Sequence, residues 1–193
     1  MQNASSNGTT SLPRPSYNRI LLADAQRAVL IDHCLRKLRG EYLDGEAKEK
    51  KAYGLLAGTV KDTILTVSQC LPLHKNARAH GPFRKIMDAA MDDFAVPSET
   101  PLDQRGWVAD PAELMGAIRR FHAGGLQLVG TYHMHRVGWP HDPLRDTPTA
   151  LDTRLATGSG LVMLIISVVR PDAPIIRAFY DGISELEIPI HCN

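Results

Sequence analysis

The sequence is short of cysteine, of long apolar runs and of excess charge of either sign. Its three cysteines, Cys34, Cys70 and Cys192, lie far apart and form no C-x-x-C pair. Neither a disulfide framework nor a cysteine zinc cluster is therefore expected. No apolar run approaches the roughly eighteen residues of a membrane span, and the N-terminus lacks the apolar segment of a secretory signal. We expect a cytoplasmic protein that does not contact a membrane.

The near balance of charge excludes another class of function. The chain of 193 residues carries 22 basic and 21 acidic side chains, which is not the basic footprint of a nucleic-acid binder. With 44% hydrophobic residues it can bury one substantial core. Residues 1–17 are rich in Asn, Ser, Thr, Gly and Pro, so we predict a disordered tail there and one domain over residues 18–193.

Helical and strand patterns alternate along the domain without an internal repeat. The aromatic and β-branched segments indicate hairpins near both ends of the domain, which favours an α+β fold, an α/β sandwich, over a doubly wound sheet. The predicted elements are a helix from Asp24 to Gly40, a hairpin over 52–71, a helix over 83–94, a helix capped by Asp110, a strand ending at His135, a buried strand from Gly160 and a last hairpin or strand pair over 175–190.

Two histidines stand at the end of the strand LVGTYHMH. On a strand, side chains at i and i+2 point to the same face, so His133 and His135 project together while Met134 points to the other face. Gly138 and Pro140 follow closely and end the strand. Both imidazoles are thus expected to reach one metal ion.

Two aspartates can complete this site. Asp146 follows His135 by eleven positions, and Asp152 lies in the segment PTALD. There Thr149 can cap a helix with Asp152 at its third position, which would hold the carboxylate in a fixed place. Two histidines and a carboxylate are the ligands of a catalytic zinc site that keeps its fourth position open.

This arrangement resembles the JAMM, or MPN+, zinc metalloproteases, also called the JAB/Mov34 family. The family pattern has a glutamate before a G-L-L-x-G strand, then H-x-H, then Ser-x-x-Asp, and the chain shows GLLAG, the H-x-H strand and Pro-Thr-x-x-Asp in that order. The resemblance covers roughly residues 18–191 and is closest to small bacterial-type members. It implies the MPN/JAB, cytidine-deaminase-like fold, in which helices flank a mixed sheet.

The resemblance also implies roles for individual residues. His133 and His135 would bind Zn²⁺ with Asp152 as third ligand, and Thr149, in the place of the family's serine, would be a catalytic residue that hydrogen-bonds the developing oxyanion. Asp146 remains the alternative third ligand. Lys51 occupies the place of the catalytic glutamate, so the proposed base moves to Glu49, with Glu46 as a weaker candidate.

The function implied is that of a zinc-dependent isopeptidase or peptidase. Its substrate would be the amide bond after the C-terminal tail of a ubiquitin-like or sulfur-carrier protein, and a dimer is an expected assembly because MPN domains are often paired. The alternative is a catalytically impaired scaffold or protein-interaction module of the same family. An amidohydrolase barrel that starts at H-x-H is excluded, because such barrels need about 250 residues.

Overall fold

The computed structural model describes residues 14–97 and 100–192, which form seven strands, four α-helices and one 3-10 turn. None of the helices in these two ranges is long and apolar enough to cross a membrane. The elements are β1 (Arg19–Leu22), α1 (Asp24–Arg39), β2 (Tyr53–Lys61), β3 (Ile64–Pro72), α2 (Gly81–Phe94), the 3-10 turn (Leu102–Gln104), α3 (Pro111–Ala123), β4 (Gln127–His135), α4 (Ala150–Ala156), β5 (Val162–Ser167), β6 (Ile175–Tyr180) and β7 (Ile190–Cys192).

The strands form a single mixed sheet in the order β6-β5-β4-β2-β3-β1-β7. The β2–β3 hairpin is confirmed, and it turns at Asp62 and Thr63, which both have positive φ. The pairs β1–β3, β1–β7 and β4–β5 are parallel, whereas β2–β4 and β5–β6 are antiparallel. Gly54 and Gly58 lie where neighbouring backbone and the Tyr132 ring leave no room for a Cβ.

The two ends of this sheet approach each other, so the expected α/β sandwich of the MPN/JAB, cytidine-deaminase-like kind is wrong. The segment after β6 runs back along β6, where Ile188 N–H donates to the Ala178 carbonyl at 2.9 Å. It then reaches β1, where Ile20 N–H donates to the Pro189 carbonyl at 2.9 Å. The seven strands therefore form a nearly closed, barrel-like sheet. The hairpin or strand pair predicted over 175–190 corresponds to β6 and this returning segment, which then continues into β7 and pairs with β1.

Helix α1 packs against the inner face of the curved sheet. Leu30 and Cys34 of this helix are fully buried and belong to one apolar cluster with side chains from six strands. Gly40 ends the helix in the left-handed conformation, as its position in the sequence predicts. Tyr17 belongs to the same cluster and packs edge-on against Tyr180, so the folded domain includes this residue of the expected tail. The rest of that tail up to residue 13 lies outside the described residues.

Helices α2, α3 and α4 lie on the outer side of the sheet. Asp110 caps α3, since its side chain accepts from the Glu113 N–H at 2.9 Å, which confirms the predicted start. The Glu113 carboxylate does not complete the capping box; it accepts instead from the N–H groups of His74 and Lys75. This contact ties α3 to the loop after β3, and α2 and α4 pack beside each other.

Candidate metal centre

Strand β4 presents the two predicted histidines on its outer face. Tyr132 and Met134 point to the inner apolar cluster, so the intervening His133 and the following His135 face outward together. The His133 Nε2 and His135 Nε2 atoms are 3.1 Å apart. The structure thus brings both imidazoles to one point, as the i and i+2 spacing predicts.

The orientation of the His135 ring is set by the loop after β4. Its Nδ1 lies 2.8 Å from the carbonyl oxygen of Arg145. Because a carbonyl only accepts, Nδ1 carries the proton and Nε2 directs a lone pair at the site. Burial is the main cause that lowers the pKa of His135, which favours this neutral ring.

Asp152 closes the group from the first turn of α4. Thr149 and Asp152 form the predicted capping box: Asp152 Oδ2 accepts from the Thr149 N–H at 2.8 Å and from its hydroxyl at 2.7 Å. Asp152 Oδ1 is 3.4 Å from His133 Nε2, and Oδ2 is 3.5 Å from His135 Nε2. Burial would raise the pKa of Asp152, but the two histidines outweigh it and hold this pKa well below its ordinary value.

These three residues are close enough together to hold one metal ion. A tetrahedral ion with bonds of about 2.0 to 2.1 Å holds its ligand atoms about 3.3 to 3.4 Å apart. The two histidine nitrogens are 3.1 Å apart, and each lies 3.4 or 3.5 Å from a different oxygen of the Asp152 carboxylate. Among the described residues, His133, His135 and Asp152 are the group of histidine, cysteine and acidic side chains that is close enough to hold a metal.

Asp146, the alternative third ligand, has a different partner. Its carboxylate is 3.2 Å from Arg177 Nη1 of β6, and Arg177 also pairs with Glu187. Through Arg177, the Asp146 side chain therefore connects the loop after β4 to β6 and to Glu187 in the segment that closes the barrel. Asp152 is the carboxylate that the fold brings to the two histidines.

Neither candidate base joins the three ligands. Glu49 pairs with Lys51 Nζ at 2.5 Å and accepts from Asn76 Nδ2 at 3.2 Å. Glu46 lies in the loop between α1 and β2, where its buried carboxylate accepts two hydrogen bonds from Arg36 at 2.6 and 2.8 Å. Burial would raise the pKa of Glu46, but the bonds from Arg36 outweigh it and lower the pKa to about 2, which is the state of a structural anion.

Lys51 takes the place beside the histidines where the resemblance expects a glutamate. Tyr53 pairs with His133 across the antiparallel strands β2 and β4. Two residues earlier, Lys51 lies on the same face and next to His135 in the continued register. The Lys51 side chain lines the same cavity as the three ligands.

The cavity beside the metal centre has a volume of about 640 Å³ and is mainly apolar. Its walls come from α2, the loop that follows it, α4 and the outer face of β4. Trp107, whose ring stacks on Tyr53, forms part of one wall. Other apolar members are Phe83, Ile86, Met87, Met91, Val96, Val137, Leu151 and Leu155. An apolar cleft that contains a few convergent polar groups is typical of a small-molecule or peptide site.

Arg145 is a residue of this site that the sequence does not reveal. It is 8% exposed, its guanidinium lies 3.3 Å from the centroid of the Trp139 ring, and it lines the cavity. In the sequence it is one charge in the polar segment HDPLRD, which reads as an exposed loop. His135 does not indicate the role of Arg145 either, because the contact between the two residues is made through the Arg145 backbone carbonyl.

Comparisons with known proteins show the fold and no family. No family model matches this chain, and no curated protein matches it. The chain is similar to the solution structure of protein DSY2949 from Desulfitobacterium hafniense, with a TM-score of 0.59 and 22% identity over 90% of this chain and 92% of that chain. It is also similar to a protein from Salinibacter ruber, with a TM-score of 0.45 and 23% identity over 83% of this chain and 80% of that chain. At this identity the first likeness shows a shared fold alone.

Proposed function

We propose that this protein is a zinc-dependent amide hydrolase, a peptidase or isopeptidase of the type that the JAMM-like sequence pattern implies. The observation that supports the proposal is the convergence of His133 Nε2, His135 Nε2 and the Asp152 carboxylate on the wall of a large cavity. Zn²⁺ in such a site supplies Lewis acidity, which lowers the pKa of a coordinated water and polarises a carbonyl.

The chain's own groups have separable roles in this proposal. The Arg145 carbonyl orients His135, and Thr149 positions Asp152, because its hydroxyl proton is donated to that carboxylate. Glu49 is the proposed proton acceptor, since it is the carboxylate in direct contact with Lys51 of the cavity wall. To act in this way the Glu49 side chain must turn from Lys51 toward the histidines.

The substrate and setting follow from the resemblance. The proposed substrate is the amide bond after the C-terminal tail of a ubiquitin-like or sulfur-carrier protein, and the apolar cavity would hold the residues beside that bond. A cytoplasmic location is part of the proposal, in keeping with three unpaired cysteines. A dimer is the assembly that the resemblance suggests.

A second candidate function is a metal-binding interaction module without turnover. The observation that favours it is the ammonium group of Lys51 on the face where a catalytic carboxylate would be expected, with Glu49 held by Lys51 and Asn76. A zinc ion would then stabilise the end of β4 and the start of α4. The two candidates agree on zinc and differ on catalysis.

Metal binding is tested with matched aspartate variants. We expect about one equivalent of zinc in the purified protein, and at least about a hundredfold weaker affinity in His133→Ala and in Asp152→Asn, because each removes a ligand. Asp146→Asn is the control and should keep its zinc. Competition with a chromogenic chelator measures the affinities; zinc loss in Asp146→Asn with retention in Asp152→Asn would reverse the ligand assignment.

Turnover is tested at Glu49. A ubiquitin-like protein with a fluorogenic amide at its C-terminus should be cleaved by the zinc-loaded protein, and Glu49→Gln should lose at least about a hundredfold in rate while it retains zinc. Glu41→Gln is the matched control, since Glu41 forms an exposed ion pair with Arg39 away from the site. Full activity in Glu49→Gln would remove that residue as the base. No cleavage by the zinc-loaded protein would support the interaction module.

A further inference from the structure

Arg145 is fixed to the metal centre through its backbone. Its N–H donates to Asp142 Oδ1 at 2.8 Å, and its carbonyl accepts from His135 Nδ1 at 2.8 Å. Its φ of 47° is in the left-handed region, which a residue other than glycine or asparagine rarely adopts. A strained residue locked to a ligand histidine holds its side chain in a defined place beside the site.

The Arg145 guanidinium is buried without hydrogen bonds. Its Nε has no partner, and the nearest carboxylate oxygen, Asp142 Oδ2, is 3.9 Å away, which is too far for a hydrogen bond. The guanidinium also stacks on Trp139, is attracted by the charge of Asp152 and is repelled by that of Arg105, but it makes no hydrogen bond within residues 14–97 and 100–192. Burying a charged group whose donors are unused is costly unless a ligand satisfies them.

Arg78 shows how this chain treats an arginine that serves the fold. It is 2% exposed, and its guanidinium donates to the carbonyls of Arg84, Leu102 and Arg105 and to the Asp88 carboxylate. Every nitrogen of that group therefore has an acceptor. The contrast with Arg145 indicates that the donors of Arg145 are directed at something other than the folded chain.

Two other cations of the cavity wall already have partners in the folded chain. Lys51 is paired with Glu49 at 2.5 Å, and Arg105 donates to the Val96 carbonyl at 3.0 Å. Arg145 lines the same cavity as the three metal ligands and retains a planar fork of donors. Such a fork matches the two oxygens of a carboxylate.

We infer that Arg145 binds a carboxylate of the substrate beside the metal centre. The inference rests on the proposed function, because it takes the cavity as the substrate site. The substrate class is an acylated amino acid or short peptide segment that carries a carboxylate close to the scissile amide and an apolar side chain. That side chain lies against the apolar wall formed by Met87, Met91 and Trp107.

A fluorescence titration tests this inference without turnover. The chain has two tryptophans, Trp107 and Trp139, and both line the cavity, so their emission reports its occupation. N-acetyl-leucine and N-acetyl-leucinamide share an acyl group and an apolar side chain and differ in the carboxylate. We expect the full-length protein to bind the acid at least about tenfold more tightly than the amide, because charge-assisted hydrogen bonds add to affinity.

Two arginine variants locate the effect. Arg145→Gln keeps the backbone carbonyl that holds His135 and should lose the preference for the acid, whereas Arg136→Gln, an exposed arginine of the same wall, should keep it. Zinc content is measured in each sample. Equal affinity of the wild-type protein for acid and amide, or no binding of either, would overturn the inference even if Arg145→Gln failed to fold.

The same titration separates this inference from the proposed function. If the preference for the acid persists in Arg145→Gln and disappears when zinc is removed by a chelator, the carboxylate binds the metal and the role of Arg145 is refuted. If the purified protein lacks zinc and cannot take it up, the hydrolase proposal fails. A preference for the acid that depends on Arg145 would still be measurable in that protein.

Discussion

His33 is a buried histidine on the side of β4 opposite to the metal centre. Its Nδ1 is 2.8 Å from the Tyr132 hydroxyl, and its Nε2 is 3.6 Å from Glu46 without a hydrogen bond. Burial is the main cause that lowers the pKa of His33 to about 4, against an opposing effect of Glu46; Arg36, Lys37 and His74 lower it further. The folded protein therefore holds this ring neutral at pH values where an unfolded histidine is protonated.

The protein should consequently lose stability as the pH falls from 6.5 toward 4. The unfolded chain binds the proton first, so the neutral ring stabilises the fold fully above pH 6.5 and progressively less below it. Between pH 7 and pH 5 the free energy of unfolding should fall by about 2 kcal/mol more in the wild-type protein than in His33→Gln. Urea unfolding at both pH values measures this. Parallel losses in the two proteins would show that His33 is not responsible.

Helix α4 has seven residues, and its start builds one third of the metal site. Such a short helix depends on its cap and on packing, because nucleation is unfavourable. The capping box of Thr149 and Asp152 therefore serves both the helix and the ligand position. This double role is local in sequence, and for that reason it can be read from PTALD alone.

Loss of the cap should weaken both the fold and the metal site. Thr149→Ala should reduce the free energy of unfolding by about 1 kcal/mol and zinc affinity by about tenfold to a hundredfold. Thr149→Ser retains the hydroxyl and should restore both. Urea unfolding and competition with a zinc chelator provide the two readouts. A Thr149→Ala variant with unchanged zinc affinity would show that packing of α4 alone places Asp152.

The sequence predicts the features of the site that depend on contacts between residues close together in the chain, and it does not predict those that depend on distant contacts. The pairing of His133 with His135 depends on strand periodicity, and the position of Asp152 depends on a three-residue cap, so both are predictable. The exposure of Lys51 to the cavity depends on the register between β2 and β4. The burial of Arg145 depends on how its loop packs onto Trp139. No local pattern encodes either of these contacts.

At the scale of the whole molecule, closure of the sheet also cannot be predicted from local patterns in the sequence. The segment Leu186–Pro189 hydrogen-bonds to β6 at one end and to β1 at the other, and these strands are more than 150 residues apart in sequence. The returning segment and β7 cover the edges of β6 and β1, which would otherwise be free to pair with other chains. Ile188 of this segment, which is 4% exposed, also packs into the inner apolar cluster around α1.

We therefore expect the closing segment to control the stability of the entire domain. Ile188→Ala should lower the free energy of unfolding by about 2 to 4 kcal/mol through loss of buried surface and the cavity that remains. Leu155→Ala is the matched control: it removes an apolar side chain that is half exposed and should cost much less.

Tryptophan emission reports the outer face, and far-ultraviolet circular dichroism reports the whole sheet. Because the inner cluster joins residues from six strands to α1, both signals should shift together to lower urea concentration in Ile188→Ala. Two separated transitions would show that the closing segment and the metal centre belong to independently stable parts. A single shifted transition means that the closing segment helps to maintain the geometry of the metal centre, to which it is linked through Arg177 and Asp146.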